Sequence, residues 1–545
     1  MKEKILPIGF LFLFLFLPLF DLFHTGLPIT HDGQDHVARI ANFYQNLQDG
    51  ILVPRWAANL NWGYGHPILM FLYPLPSYMA SLFHALGFSL VDSLKIIFGV
   101  SFILSGLTMY LWLRSFLSLP AAFVGSLLYT FAPYRFVDLY IRGAIGEHVA
   151  FIFPPLVLYF LYRLSKKQTY GYWLGGSLSL AGLILAHNAI SLMFLPIILL
   201  YSAYLLCRLK KKKSFIRTIV FVLLFGFGLS AFFWMPAFME GKFTLRDIVT
   251  KGEALSRFVP VKDLIYGSWS YGITGQFTVQ FGILNLLGVI SALPLVIYFF
   301  RKKNPQWVFI GMCLLLFFVT AFLMTEGAKP IWQTVTLLQK FQFPWRLLSL
   351  SVFLSAVLGA CVVSVFSPRA QKSMLVVLII AVLFFNRDYW HAKAYLYKPE
   401  SFYTGIYNST TDTGESAPIW SVRFMEKRPK AHMEVIEGKG KISEKQRTAT
   451  MHNYIVVASD KARLKENTLF FPGWKVFVDG KSVPLQFQDA NNRGLMTFFV
   501  EKGTHTVSEQ FGETKLRLFA DCLSIGSIFS LGILGILGRR KVWRS

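Results

Sequence analysis

The feature that most constrains this chain is a succession of long apolar runs separated, at many of their ends, by short basic loops. A helix needs about 20 apolar residues to cross a bilayer core. A chain with this many such runs, 54% hydrophobic residues and a mean hydropathy of +0.49 is an integral membrane protein. The formal charge of +25 would suit nucleic acid if it formed one basic face. Instead the lysines and arginines sit in the connectors 163–167, 208–217, 301–303 and 369–372 and in the tail 539–544, where they report topology. The four cysteines lie within or at the ends of apolar runs and suggest neither a disulfide framework nor a zinc pattern.

If every basic connector faces the cytoplasm, each neighbouring pair must be separated by an even number of crossings. The runs in 172–207, 216–299, 306–366 and 373–538 obey this, with two spans each. The run 5–23 lacks a small-residue cleavage site after it and reads as a retained signal anchor. Between it and Arg163 the runs 68–88, 92–113, 119–137 and 143–163 make the total odd, so one of them cannot cross. The segment 68–88 carries Pro67, Pro74, Pro76, His84 and Gly87 at or near its ends and middle, and is the one expected to be re-entrant or to lie on the surface. The expected fold is an α-helical polytopic membrane protein of about twelve spans plus that juxtamembrane segment. Its outer face gathers 24–91, 134–146, the His187-Asn188 turn, 237–278, 325–344 and 389–517.

After Tyr389 span-length apolar runs give way to polar sequence and then to short apolar runs from Tyr454 to Val507. Asp479-Gly480-Lys481 between two of them is a hairpin signal, because glycine tolerates the positive φ such turns require. The expected organisation is a transmembrane domain over 1–388, a small extracytoplasmic mainly β domain over 389–517, and a last span with a basic cytoplasmic tail over 518–545.

The polar chemistry concentrates in the first outer loop, 24–91. Asp32, Asp35, His36 and Arg39 fall at i, i+3, i+4 and i+7 and so share one helical face. Pro54-Arg55-Trp56, Gly63-Tyr64-Gly65-His66-Pro67 and Tyr73-Pro74-Leu75-Pro76 follow as a compact polar-aromatic loop. Such a stretch is either a solvated loop or an active-site loop, and its setting favours the second. His31, Asp32, Asp35 and His36 are the residues that could ligate a divalent metal ion, at a spacing matching no well-known signature.

Four further groups share that face. Glu147 and His148 enter a span just after Arg142, where a charge must pair or line a polar cavity; either an Arg142–Glu147 ion pair or a substrate contact fits. His187-Asn188 lies at an outer turn, as a structural pair or a site contact. Tyr266 to Gln276, with Trp269, is aromatic and glycine-rich, suited to stacking on a sugar or to an interfacial belt. Arg346, two residues after Pro344, lies at the mouth of a span, where it would either bind a lipid phosphate through bidentate bonds or snorkel to headgroups.

A first span, an acidic surface helix, then P-R-W and a Tyr-Pro-Leu-Pro segment along the membrane resemble the GT-C superfamily of multi-spanning glycosyltransferases. More closely, HDGQDHxxR…PRW…GYGHP…YPLPSY with a later FPWR resembles the bacterial membrane-protein family labelled "6-pyruvoyl-tetrahydropterin synthase-related", although nothing in these residues looks like a pterin enzyme. The C-terminal FFPGWKVFVDGKSVPL…VEKGTHTV is similar to the end of YfhO-like membrane proteins.

The resemblance implies transfer of a sugar from a polyprenyl-phosphate-linked donor to a cell-envelope acceptor (glycan, lipid or protein) on the outer face of the cytoplasmic membrane. It puts an acidic catalytic residue at Asp32, with Asp35 second. Arg346, helped by Arg55 or Arg142, would offset the charge of the departing phosphate. This chain has Asp-x-x-Asp where better-known relatives have Asp-x-Asp, so a metal requirement does not carry over with the resemblance. The rival is a non-catalytic exporter or flippase, or a scaffold, for polyprenyl-linked glycans. A transporter would place paired broken helices and polar groups at mid-bilayer, whereas here they gather at one face.

Overall fold

The computed structural model describes residues 2–272 and 276–542. Residues 273–275 of the Tyr266–Gln276 stretch and Arg544 of the basic tail lie outside them. Among the described residues eight helices are long and apolar enough to cross a bilayer, from Leu90–Arg114 to Lys515–Leu537. Lys212–Leu229 and Ala231–Met239 form a further pair bent by 72°, and Pro7–Phe23, Leu119–Thr130 and Tyr170–Ala186 are shorter apolar helices. Segment 68–88 folds as two pieces, Ile68–Phe71 and Leu75–Ala85, broken around Tyr73-Pro74. An 11-residue helix rises about 16 Å, half of the ~30 Å hydrocarbon thickness, so neither piece is long enough to cross.

The span expected over 119–137 is different in the structure. Its helix stops at Thr130, because Ala132 precedes Pro133 and takes an extended ψ of 140°, the conformation proline imposes on its predecessor. A π-helical turn over Val137–Arg142 follows, and the chain stays buried from Ala121 to Ile152. This unbroken buried stretch lies under the candidate site.

The hub of the bundle is the helix Leu348–Ser364, packed against Leu119–Thr130, Ile283–Arg301 and Gln306–Leu323. Close approach is achieved with small residues: a Cβ on Gly288 would lie 3.1 Å from the Gly359 Cα. Asn285 donates to Ser355 Oγ at 2.8 Å, and Thr320 and Ser351 hydroxyls meet at 3.0 Å. Helices in lipid gain little from hydrophobic burial against one another, so such contacts and polar links carry the packing.

Strands β1 (Leu27–Pro28) and β2 (Tyr395–Leu396) pair antiparallel and fasten the start of the first loop to the chain beyond the helix Pro368–Asn386. Eight more strands follow: β3 Met433–Glu437, β4 Gly440–Arg447, β5 Met451–Ala458, β6 Ala462–Leu469, β7 Trp474–Val478, β8 Lys481–Val483, β9 Leu495–Val500 and β10 Gly503–Phe511. They form a sheet of order β4-β5-β10-β7-β8 and another of order β3-β6-β9, enclosing Val456, Leu464, Val476, Phe498 and Val507. The β7–β8 hairpin turns at Asp479 (φ 49°) and Gly480 (φ 77°), the left-handed pair its sequence demands.

The non-helical segments between the long helices gather at one end of the bundle. Backbone bonds join His31 to Ile141, Asp32 to Arg142, Leu245 to Ala417 and Val259 to Met324. The basic connectors around 163–167, 208–217, 301–303 and 369–372 terminate the same helices at the opposite end.

Candidate active site

The helix Gly33–Gln48 begins at Asp32, where the chain has just bonded the backbone of Ile141 and Arg142. Thr30 Oγ1 accepts from Gly33 N. A Cβ on Gly143 (φ 67°) would fall 2.3 Å from that same oxygen, so only glycine lets the two strands of chain lie this close. Val37, Ile40 and Phe43 are buried, and His36 and Arg39 line a pocket together with Ile40 and Phe43.

Asp32 is half-buried, and among the described residues its carboxylate accepts no hydrogen bond. Asp35 is engaged: Tyr407 donates to it at 2.9 Å, and burial raises its pKa. Arg39 donates to His36 Nδ1 at 3.0 Å and to Thr411 Oγ1 at 2.8 Å. Burial and the Arg39 charge hold His36 well below the usual histidine range, hence neutral. His31 donates through Nε2 to the Gly272 carbonyl at 2.6 Å.

Thus His31, Asp35 and His36 each have a partner of their own, and the four residues considered for metal do not converge. Among the described residues the His, Cys, Asp and Glu side chains that do converge are His452, Glu466 and Glu509, in the C-terminal β-sheet region.

Beneath lies a buried charge network. Arg142 donates to Asp138 at 2.5 Å and to Glu147 Oε1 at 2.8 Å, with its guanidinium 4.7 Å from the Trp345 ring centroid. Arg346 Nε donates to the same Glu147 oxygen at 2.7 Å, and Tyr134 donates to Glu147 Oε2 at 2.8 Å. Arg346 Nη1 is held by the Phe341 carbonyl. Its Nη2, like Nη2 of Arg39, makes no hydrogen bond among the described residues. A buried carboxylate is tolerated only when paired in this way, and the network fixes both the π-helical turn and the start of the hub helix.

Tyr73 stands where these groups meet. Its ring stacks on His187 with centroids 4.7 Å apart and presses on Gly146, where a Cβ would lie 2.2 Å from Cε2. Burial pushes its hydroxyl up to about 12, and the charges of Arg39, Asp32, Glu147 and Arg346 all act on it. The pocket beside it is lined by His36, Arg39, Leu69, Tyr73, Pro76 and Ile145, among others.

Asp32, His36, Arg39, Glu147, His187 and Arg346 are therefore brought together around Tyr73, with Arg142 below them as a structural cation. The others lie elsewhere. Arg55 pairs with Glu513 at 2.9 Å and Asp521 at 2.7 Å, clamping the first loop to the last helix. His148 is enclosed by Phe98 and Phe102. Asn188 is exposed and bonds only the next amide. Trp269 stacks on Tyr389 at 4.6 Å in a separate cavity with Gln280 and Asn285, and Gln276 is exposed.

The residues that sequence reasoning missed lie between β2 and β3. Tyr407 bonds Gln34 and Asp35. Asp412 pairs with buried His66 at 3.5 Å; burial would raise its pKa, but His66, Ser416 and the Gly414 amide outweigh that and lower it. Thr411 adopts φ 64°, a strained conformation for a β-branched residue, and reaches Arg39. Glu415, raised by burial and influenced by Arg246 and Arg346, adds a carboxylate at the rim. The one signal in the sequence was the density of short polar residues in NSTTDTGE.

A family described as "6-pyruvoyl-tetrahydropterin synthase related domain; membrane protein" matches residues 69–395. An uncharacterized protein of Lactococcus lactis subsp. cremoris (strain MG1363) is 25% identical over 305 residues, 53% of this chain and 48% of that protein, so the match spans about half the relative's length. Among solved structures, ArnT from Cupriavidus metallidurans bound to undecaprenyl phosphate aligns over 70% of this chain and 63% of its own, at 12% identity and a TM-score of 0.39. The Archaeoglobus fulgidus oligosaccharyltransferase complex with Zn and sulfate aligns over 74% and 58%, at 13% identity and 0.43. Arabinofuranosyltransferase AftD from Mycobacteria (mutant R1389S) aligns over 70% and 27%, at 11% and 0.44.

Proposed function

The chain belongs to the 6-pyruvoyl-tetrahydropterin synthase related family of membrane proteins, and from that premise and the site around Tyr73 we propose that it is a membrane glycosyltransferase. It would take a sugar from a polyprenyl-phosphate-linked donor and pass it to a cell-envelope acceptor on the outer face of the cytoplasmic membrane. The observation that carries this reading is a gathering of opposite charges around Tyr73, whose hydroxyl feels Asp32, Arg39 and Arg346 together. Asp32 is a half-buried carboxylate with no hydrogen-bond partner among the described residues, and Arg39 and Arg346 each keep one guanidinium nitrogen unengaged.

In the reaction, Asp32 takes the proton of the acceptor hydroxyl as its oxygen attacks the anomeric carbon. The bond from that carbon to the phosphate oxygen breaks, and the leaving polyprenyl phosphate takes the bonding pair. Arg346 and Arg39 are placed to offset the charge that develops on it, a kind of stabilisation strongest in a water-poor site. Glu147 and Arg142 hold Arg346 in position. Asp35 and Tyr407 hold the helix that presents Asp32, so Asp35 is a positioning residue here.

The test is transfer from polyprenyl-phosphate-linked sugars in proteoliposomes. Removing a general base costs roughly 10²–10⁴-fold in rate, so Asp32→Asn should lose that much while its thermal stability stays near that of the wild type. Asp35→Asn should lose stability and less of the rate. Full activity in Asp32→Asn would refute the assignment.

A further inference from the structure

The end of the bundle opposite Tyr73 holds another cavity, of about 900 Å³ including its open mouth. It lies between the helices Phe153–Lys166, Asn188–Cys207, Gln306–Leu323 and the end of the hub helix at Ser364. Its deep wall is apolar, built from Leu205, Phe299, Phe309 and Ile310, while its mouth carries Lys166, Arg208 and Gln306. None of the side chains that line it is acidic.

The two cations are held by aromatic walls rather than by counter-ions. The Arg208 guanidinium lies 4.9 Å from the Tyr204 ring centroid and donates to its hydroxyl at 2.5 Å. The Lys166 ammonium lies 5.3 Å from the Tyr162 ring. Neither pairs with a carboxylate among the described residues. A largely apolar wall capped by two cations without carboxylate partners has the polarity of an anionic lipid turned inside out, and basic pockets between spanning helices are where such headgroups bind.

We propose that this cavity binds an anionic glycerophospholipid of the leaflet at that end, its phosphate between Lys166 and Arg208 and an acyl chain against Phe309. The occupant is not the sugar donor, because a hub helix of 17 residues rises about 25 Å between Arg346 and Ser364. A donor headgroup in this cavity would be that far from the carboxylate it must meet. The inference stands independently of the transferase reading.

The test is native mass spectrometry of the full chain released from micelles containing phosphatidylglycerol, phosphatidylcholine or undecaprenyl phosphate. The wild type should retain one phosphatidylglycerol at energies that strip phosphatidylcholine. Two surface cations contribute about thirtyfold together, so Lys166→Gln with Arg208→Gln should weaken retention by about that factor, whereas Lys166→Arg with Arg208→Lys should keep it. As a check that needs no variant, a photoactivatable phosphatidylglycerol should label peptides containing Tyr162–Lys166 and Tyr204–Arg208. Equal retention of phosphatidylcholine, retention unaffected by the double Gln variant, displacement by undecaprenyl phosphate, or labelling elsewhere would overturn the proposal.

Discussion

Arg346 offers the sharpest separation between a structural and a substrate-binding cation. Its Nε bond to Glu147 is 2.7 Å long and buried, with 11% of the Arg346 side chain and 1% of that of Glu147 exposed. A hydrogen bond to a charged group contributes about 1.5–3 kcal/mol. Arg346→Gln leaves Glu147 with Arg142 at 2.8 Å and Tyr134 at 2.8 Å, so the carboxylate is not orphaned. The loss of stability should therefore sit near the lower end, about 2 kcal/mol, well short of the 3–5 kcal/mol that breaking a buried pair outright costs.

Binding should respond more strongly. Losing one charge-assisted contact to the phosphate weakens affinity by roughly ten- to a hundredfold. Arg346→Lys should recover part of it, since an ammonium keeps the charge but loses the fork. The assay is binding of fluorescently detected polyprenyl phosphate to detergent-purified protein, with thermal unfolding run in parallel. An unchanged affinity in folded Arg346→Gln would show that Arg346 serves Glu147 alone, and Arg39 would remain as the phosphate ligand.

Gly146→Ala should destabilise the protein by about 1–3 kcal/mol and impair transfer, because its methyl group must displace the Tyr73 ring; wild-type melting and activity would refute the packing argument. Single cysteines at Leu52 and Asp92, in a cysteine-free background, should both react with an impermeant reagent from outside, as the parity of the basic loops requires; labelling of Asp92 from the cytoplasm only would refute the topology. In the β domain, burial and the Glu466 carboxylate push Glu509 up to about 8 from its usual 4.5. The folded domain thus keeps a proton that the unfolded chain would release. The stabilisation is complete below about 4.5 and is lost as pH rises through about 8, and His452, also raised, acts in the same direction. Hydrogen exchange in β5, corrected for intrinsic rate, should therefore speed up between pH 7 and 9, and Glu509→Gln should flatten the trend.

The sequence by itself determined what depends on neighbours along the chain. Apolar run length placed the helices from Leu90–Arg114 to Lys515–Leu537, the prolines of 67–76 predicted a segment too broken to cross, and Asp479-Gly480 predicted its hairpin. The helical spacing of Asp32, His36 and Arg39 marked the face turned toward Tyr73, since 3.6 residues per turn is a local rule. Only the tertiary structure decided who meets whom across hundreds of residues. Arg55 and Arg346 are alike in sequence, each next to a tryptophan and within two residues of a proline. One is used up by Glu513 and Asp521, while the other keeps a free nitrogen at Tyr73. Nothing local says that Tyr407 and Thr411 fold back onto a helix about 370 residues earlier, because that contact is selected by the unpaired polar groups it satisfies. A buried charge must find its partner wherever the fold puts one, and spacing along the chain does not encode that partner.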